Sequence, residues 1–236
     1  MSSVRIARGP FRILDSLPVS SPTQVLQSPA EEVANSLTHG LGLALAAAAI
    51  PVLVVHARGA GAVTGAAVFG ATAALSYLVS TLYHAFRVGR AKSVLRWIDH
   101  ASIYLFIAGS YTPFTLTVLR GAWGCSLFGL VWGLAVLGVL FKTLGTERFP
   151  RLSTLLYLAM GWVALVAIRP LWLAMPGPAM FWLVAGGVAY SLGVIFFALD
   201  QRLRYAHSVW HLFVLGGSVC HFFALIEVFD LQALVR

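Results

Sequence analysis

The sequence predicts an all-α fold, a bundle of seven transmembrane helices, and three observations carry the prediction. Of its 236 residues 59% are hydrophobic and 10% charged, whereas a soluble domain has about 25% charged. Apolar runs recur along the chain at the length of about 20 residues that a helix needs to cross a bilayer. The breaks between them are short and carry glycine, proline or basic residues. Seven spans use about 140 residues and leave a short extension and tight loops, which describes one compact domain.

Residues 1–27 contain Arg5, Arg8, Arg12, Pro10, Pro18 and Pro22 and no apolar run long enough for a secretory signal. They read as a flexible cytoplasmic tail ahead of a transmembrane domain over 28–236. Ser28-Pro29-Ala30-Glu31 is a capping-box start, predicting a short helix on the membrane surface before the first span. Apolar runs follow at about 38–56, 64–86, 98–119, 123–141, 152–170, 179–199 and 205–228. Breaks fall at Arg58-Gly59-Ala60-Gly61, Arg87 to Arg96, Arg120-Gly121, Gly145 to Arg151, Pro176-Gly177-Pro178 and Asp200 to Arg204.

With the N-terminus inside, the cytoplasmic loops carry Arg87, Arg90, Lys92, Arg96, Lys142, Arg148, Arg151, Arg202 and Arg204, and the other side Arg58, Arg120, Arg169 and Arg236. That asymmetry predicts a cytoplasmic N-terminus and an outer C-terminus in a multi-pass membrane protein. The charge of +8 is spread between apolar runs, so lipid headgroups and not nucleic acid are the expected partner. Cys125 and Cys220 sit inside apolar runs and indicate no disulfide scaffold.

Ionisable residues within spans are expensive and mark functional sites. His84, with Ser80 one turn earlier, ends the second span; Asp99 begins the third; His207 and His211 open the seventh. All five fall at one predicted depth. The i, i+4 spacing of His207 and His211 puts both imidazoles on one helix face, about 6 Å apart along the axis. With His84 they make three ligands, leaving a fourth tetrahedral position open as in catalytic zinc sites, although imidazole also suits iron, copper or nickel. A single histidine would read as a hydrogen-bonded core residue. Asp99 also has a plain reading, as an acid complementing a helix N-terminus or pairing with Arg96.

Glu32, Asn35 and His39 form a stripe that either braces this site or solvates an interfacial helix. His221, about 15 Å beyond His211, is too far to share a metal and reads as a buried hydrogen-bonded histidine. His56 and His100 read as interfacial. Gly109 and Pro113 read as a kink or a close helix contact.

Glu32-Val33-Ala34-Asn35 with Thr38-His39, Ser80-Thr81-Leu82-Tyr83-His84, Asp99 with Gly109-Ser110-Tyr111-Thr112-Pro113, and His207-Ser208-Val209-Trp210-His211 together resemble the progestin and adipoQ receptor superfamily, and within it the bacterial hemolysin III branch. The resemblance runs from Glu32 to about His221. It implies seven helices, a cytoplasmic N-terminus, and zinc held at His84, His207 and His211, with Asp99 contacting the zinc-bound water and Ser80 matching the family serine. It also implies, through adiponectin receptors and alkaline ceramidases, hydrolysis of an amide lipid. The outer loops are short and no long N-terminal domain is expected, which argues against a protein hormone as ligand.

Three functions follow. The first is a zinc-dependent hydrolase of a lipid amide or ester, with Asp99 accepting a proton and Ser80 positioning the scissile group or an oxyanion. The second is a pore-forming, membrane-perturbing hemolysin, although the spans lack the repeated polar stripe of a water-filled path. The third is a receptor-like regulator of membrane lipid composition in which zinc is structural.

Overall fold

The computed structural model describes residues 27–119, 121–143 and 150–234. Residues 1–26 of the expected tail, and the loop arginines Arg120 and Arg148 and the terminal Arg236, lie outside the described residues. Among those described, every regular element is a helix. In order they are α1 (Pro29–His56), α2 (Ala60–Ala85), α3 (Arg90–Thr117), α4 (Ala122–Thr143), α5 (Pro150–Gly161), a 3-10 segment (Val163–Ala167), α6 (Ile168–Ala174), α7 (Gly177–Ala198) and α8 (Ala206–Leu234).

Large apolar side chains such as Leu37, Val55, Leu137, Leu155, Trp172, Leu173 and Phe181 face outward, while Asn35, Ser80, Asp99 and His211 are buried. A soluble protein does the reverse. This distribution fits a bundle whose solvent is hydrocarbon. Among the described residues, six stretches are long and apolar enough to cross a membrane: α1, α2, α4, the segment Leu152–Ala174, α7 and α8.

The helix α3 occupies the place of the predicted third span. It is 28 residues long, yet it is not among the six. Its position explains the composition. Packed between α2 and α4, it buries Ser102, Thr112, Thr115 and Thr117, so much of its surface never meets lipid. Threonine hydroxyls return to its own backbone, as from Thr112 to the Ala108 carbonyl (3.0 Å) and from Thr117 to that of Pro113 (2.6 Å).

The capping box forms as predicted: the Ser28 hydroxyl donates to Glu31 Oε2 (2.6 Å) and accepts from the Glu31 amide (3.4 Å). The helix it starts is not a separate surface helix. The chain is helical without interruption from Pro29 to His56, because no breaker separates the cap from the apolar run and the polar stripe turns inward: Asn35 is fully buried and His39 nearly so.

The predicted span over 152–170 is also built differently, since the α-helix gives way to the 3-10 segment in mid-course. Irregular backbone at membrane depth survives only if its polar groups are satisfied within the protein. Tyr111 of α3 does this, its hydroxyl donating toward the carbonyls of Met160 (2.9 Å) and Gly161 (2.7 Å) and accepting from the Ala164 amide (3.0 Å). The Gly109 and Pro113 motif resolves as close packing: a Cβ on Gly65 of α2 would lie 2.8 Å from Pro113 Cβ, and Gly109 leaves no room for a Cβ against Thr72.

The helix α1 packs on α2 and α8, α8 on α7, and α2 on α3. The first turns of α1, the last turn of α2, the early turns of α3 and the first turns of α8 therefore meet at one end. Two contacts fasten that end. Lys92 caps α2 by donating to the carbonyls of Tyr83 (3.0 Å) and Phe86 (3.1 Å), and the amide of Tyr205, which sits at a positive φ of 59°, donates to Glu31 Oε1 (3.0 Å). We expect Tyr111→Phe to strand the backbone groups of the broken helix, at about 1–3 kcal/mol for each buried group left unpaired. The measurement is the melting temperature in detergent, which should fall by several degrees while the helical circular-dichroism signal is kept.

Candidate metal centre

The HxxxH pair sits where the spacing put it. His207 and His211 lie in the first two turns of α8, and His84 reaches them from the last turn of α2. The three ring centroids form a near-regular triangle: His84 to His207 5.2 Å, His84 to His211 5.2 Å and His207 to His211 4.7 Å. One ligand atom from each lies within 4.8 Å of the others. His84 and His211 are buried and His207 is partly so.

Each ring is oriented through its Nδ1. That of His84 meets Glu32 Oε2 at 2.7 Å, that of His207 meets Asp200 Oδ2 at 3.2 Å, and that of His211 meets Thr38 Oγ1 at 3.1 Å and the Asn35 carbonyl at 3.3 Å. With Nδ1 engaged, Nε2 is the nitrogen left for a ligand. The Nε2 atoms of His84 and His211 are buried without a hydrogen-bond partner. An orphaned pair of nitrogens, each on a ring steered by an outward hydrogen bond, is the arrangement by which proteins hold metal-binding imidazoles. Three imidazoles within this span suit one ion at the ~2.1 Å of a zinc–nitrogen bond, with small inward ring movements. The residues present therefore fit a metal ion of the zinc type.

Glu32 holds the arrangement together from α1. It accepts from His84 and also pairs with Lys92 Nζ at 2.8 Å, so the residue that caps α2 also anchors the carboxylate that orients a ring. Asn35 accepts from the Ser208 hydroxyl of α8 (2.5 Å). The stripe over Glu32, Asn35 and His39 thus braces the site and is not a solvated face.

Ser80, one turn before His84, lies beside the Asp99 side chain, and both are buried. Asp99 lies nine residues inside α3, which begins at Arg90, so it is beyond the first turn where an acid complements the helix dipole. Asp99 Oδ2 also lies 3.6 Å from His100 Nδ1. His56 returns a hydrogen bond to its own helix, to the Val52 carbonyl at 2.8 Å.

His39 stacks face to face on His211, with centroids 3.5 Å apart and planes 15° from parallel. Neither of its ring nitrogens has a partner. It lines an apolar cavity of about 220 Å³ walled mainly by α3, α5, α7, α8 and the 3-10 segment. At the histidine end the cavity also meets Phe197 and Trp210, whose rings pack against His207 at 6.0 Å and 4.9 Å. The reading of His221 as a hydrogen-bonded core residue is corrected: it is buried, but neither ring nitrogen meets a partner in hydrogen-bond geometry.

Sequence reasoning did not single out Asp200, and it knew Lys92 only as a loop charge. Thr38 entered only through the family motif. One signal was available. The chain has eight acidic residues, and Glu31, Glu32, Asp99 and Asp200 gather at this end.

Fold and cluster together define a polytopic helical membrane protein with a buried three-histidine centre. Residues 27–222 match the family described as Haemolysin-III related, and the chain belongs to that family, within the progestin and adipoQ receptor superfamily. It is 44% identical to Hemolysin-3 of Bacillus cereus over 86% of its own length and 94% of that protein's, and 41% identical to the Hemolysin-3 homolog of Bacillus subtilis (strain 168) over 83% and 93%. A more distant relative, the Heptahelical transmembrane protein ADIPOR2 of Oryza sativa subsp. japonica, is 31% identical over 58% of this chain and 69% of its own.

Removing the outer hydrogen bond should loosen the ligand it steers. We expect Asp200→Asn and Glu32→Gln each to weaken the binding of added zinc by about 10–100-fold, read by competition with a chromogenic chelator, with little change in helical content.

Proposed function

We propose that this chain is a seven-span membrane hydrolase that holds zinc at His84, His207 and His211 and cleaves the amide or ester bond of a membrane lipid at the cytoplasmic face of the inner membrane. The observation that carries the reading is the meeting of three features at one end of the bundle. Three imidazoles are steered by outer hydrogen bonds, buried Ser80 stands one turn before His84 and beside Asp99, and an apolar cavity ends at His39, Phe197 and Trp210.

The seventh span is α3. Its 28 residues extend about 42 Å, and a relative carries the name heptahelical. The excess of lysine and arginine in the loops on the histidine side supports a cytoplasmic N-terminus, and an odd number of spans then sends the C-terminus outside. The fourth position left by three ligands favours a catalytic over a closed structural site.

When bound, zinc would acidify a coordinated water toward a pKa of about 7 and polarise a carbonyl. The chain's own residues supply the rest. Asp99 takes the proton released as water adds to the carbonyl and delivers it to the departing amine or alcohol. Ser80, beside Asp99, can donate its hydroxyl to that carboxylate or turn it to the scissile group. Phe197 and Trp210 crowd His207 with apolar surface and keep bulk water out. The acyl chain extends into the cavity.

The name hemolysin carried by the Bacillus relatives suggests membrane perturbation, but the cavity is apolar and offers water no path. A receptor-like role with structural zinc differs in its test. Purified protein is assayed for bound zinc and for fatty-acid release from a long-chain N-acyl lipid. His211→Ala should lose both zinc and turnover, and Asp99→Asn should keep zinc and lose turnover by at least about 100-fold. Turnover that survives complete metal removal, or a wild-type protein that binds zinc, loses thermal stability on chelation and hydrolyses nothing, contradicts the proposal.

A further inference from the structure

His221 lies in α8 ten residues beyond His211, about 15 Å along the helix axis, and lines the same cavity that His39 lines at the histidine end. It is 8% exposed, and both its ring nitrogens lack a hydrogen-bond partner. The Leu183 backbone lies alongside but outside hydrogen-bond geometry; a bond to it would still leave the second nitrogen unpaired.

Space has been made for this ring. A Cβ on Gly186 of α7 would come 2.7 Å from His221 Nε2, and one on Gly217 of α8 would come 2.7 Å from the Tyr190 ring. Each helix thus opens a glycine gap for a ring of the other. The neighbouring polar groups are already committed. The Tyr190 hydroxyl, whose ring stands edge-on to His221 at 5.4 Å, bonds to Ser218 Oγ at 3.0 Å, and Ser218 donates to the Val214 carbonyl at 2.9 Å. Trp162 Nε1 donates to Ser191 at 2.9 Å. A water beside His221 would need two to four polar partners, which these groups do not offer. A hydroxyl carried in on an alkyl chain needs one, and its chain fills the apolar remainder.

We propose that His221 is a second polar station of the cavity, one that binds a hydrogen-bonding group borne partway along a long-chain lipid. The inference deepens the proposed function and rests on it for placing the lipid head at the three histidines. An extended chain covers about 1.2 Å per bond, so the separation corresponds to a group about a dozen carbons from the head. The ligand class is a hydroxylated or oxidised long-chain lipid, and His221 is a specificity-determining residue.

The test is equilibrium binding, in detergent, of octadecanoic acid and of its derivative hydroxylated on the twelfth carbon, each displacing radiolabelled octadecanoic acid from the zinc-loaded protein. Wild type should prefer the hydroxylated acid by about tenfold. His221→Phe should abolish the preference while keeping octadecanoic acid and zinc. Gly186→Ala, which pushes the ring aside but keeps it, should reduce the preference and covers the case in which His221→Phe fails to fold. Equal binding of the two acids by wild type, an undiminished preference in His221→Phe, or no binding of either acid overturns the inference. A His221-dependent preference in a protein that hydrolyses no lipid amide or ester leaves this site standing and removes the hydrolase reading alone.

Discussion

An imidazole nitrogen without a partner, inside a bundle surrounded by hydrocarbon, is the constraint on which the rest of this structure turns. Leaving such a group unsatisfied costs about 1–3 kcal/mol, and the chain places two of them, Nε2 of His84 and of His211, at one point. It does so while giving every Nδ1 of the triangle a partner. An arrangement that satisfies one side of each ring and exposes the other to a shared centre is hard to reconcile with three independent core histidines. A cation at that centre would resolve the cost for both nitrogens at once, and the carboxylates of Glu32 and Asp200 would offset its charge.

The helix contacts at that end serve the same constraint. Lys92 joins the end of α2, the start of α3 and the Glu32 carboxylate of α1, and Glu31 ties α1 to the strained residue that precedes α8. These fix the rings from outside. On the other side of the bundle the packing is different: α5 is interrupted, it touches its neighbours sparingly, and an apolar cavity runs between α3, α5 and α7. One half of the molecule is fastened around a centre, and the other leaves room for something long and apolar.

The parts of this arrangement that obey a local rule were legible in the sequence. The HxxxH spacing fixes a helix face, apolar run length marks where the six long apolar stretches lie, and the Ser28 cap is a four-residue motif. What was not legible depends on contacts between distant segments. Asp200 reaches His207 across a turn with no periodicity to mark it, and Thr38 meets His211 from another helix. The extent of α1 was misjudged because a capping box specifies where a helix starts and not where it stops. The smooth apolar run over 152–170 concealed a 3-10 break because the groups that satisfy it come from Tyr111.

One metal ion shared by the three imidazoles through their Nε2 atoms is the core of the proposed function. X-ray absorption at the zinc edge, on protein purified without added metal or chelator, tests it most directly. The account predicts a nitrogen and oxygen shell near 2.0–2.1 Å with the multiple-scattering signature of three imidazoles, reduced to two in His84→Ala. A sulfur shell near 2.3 Å, or an imidazole count unaffected by losing His84, would contradict it.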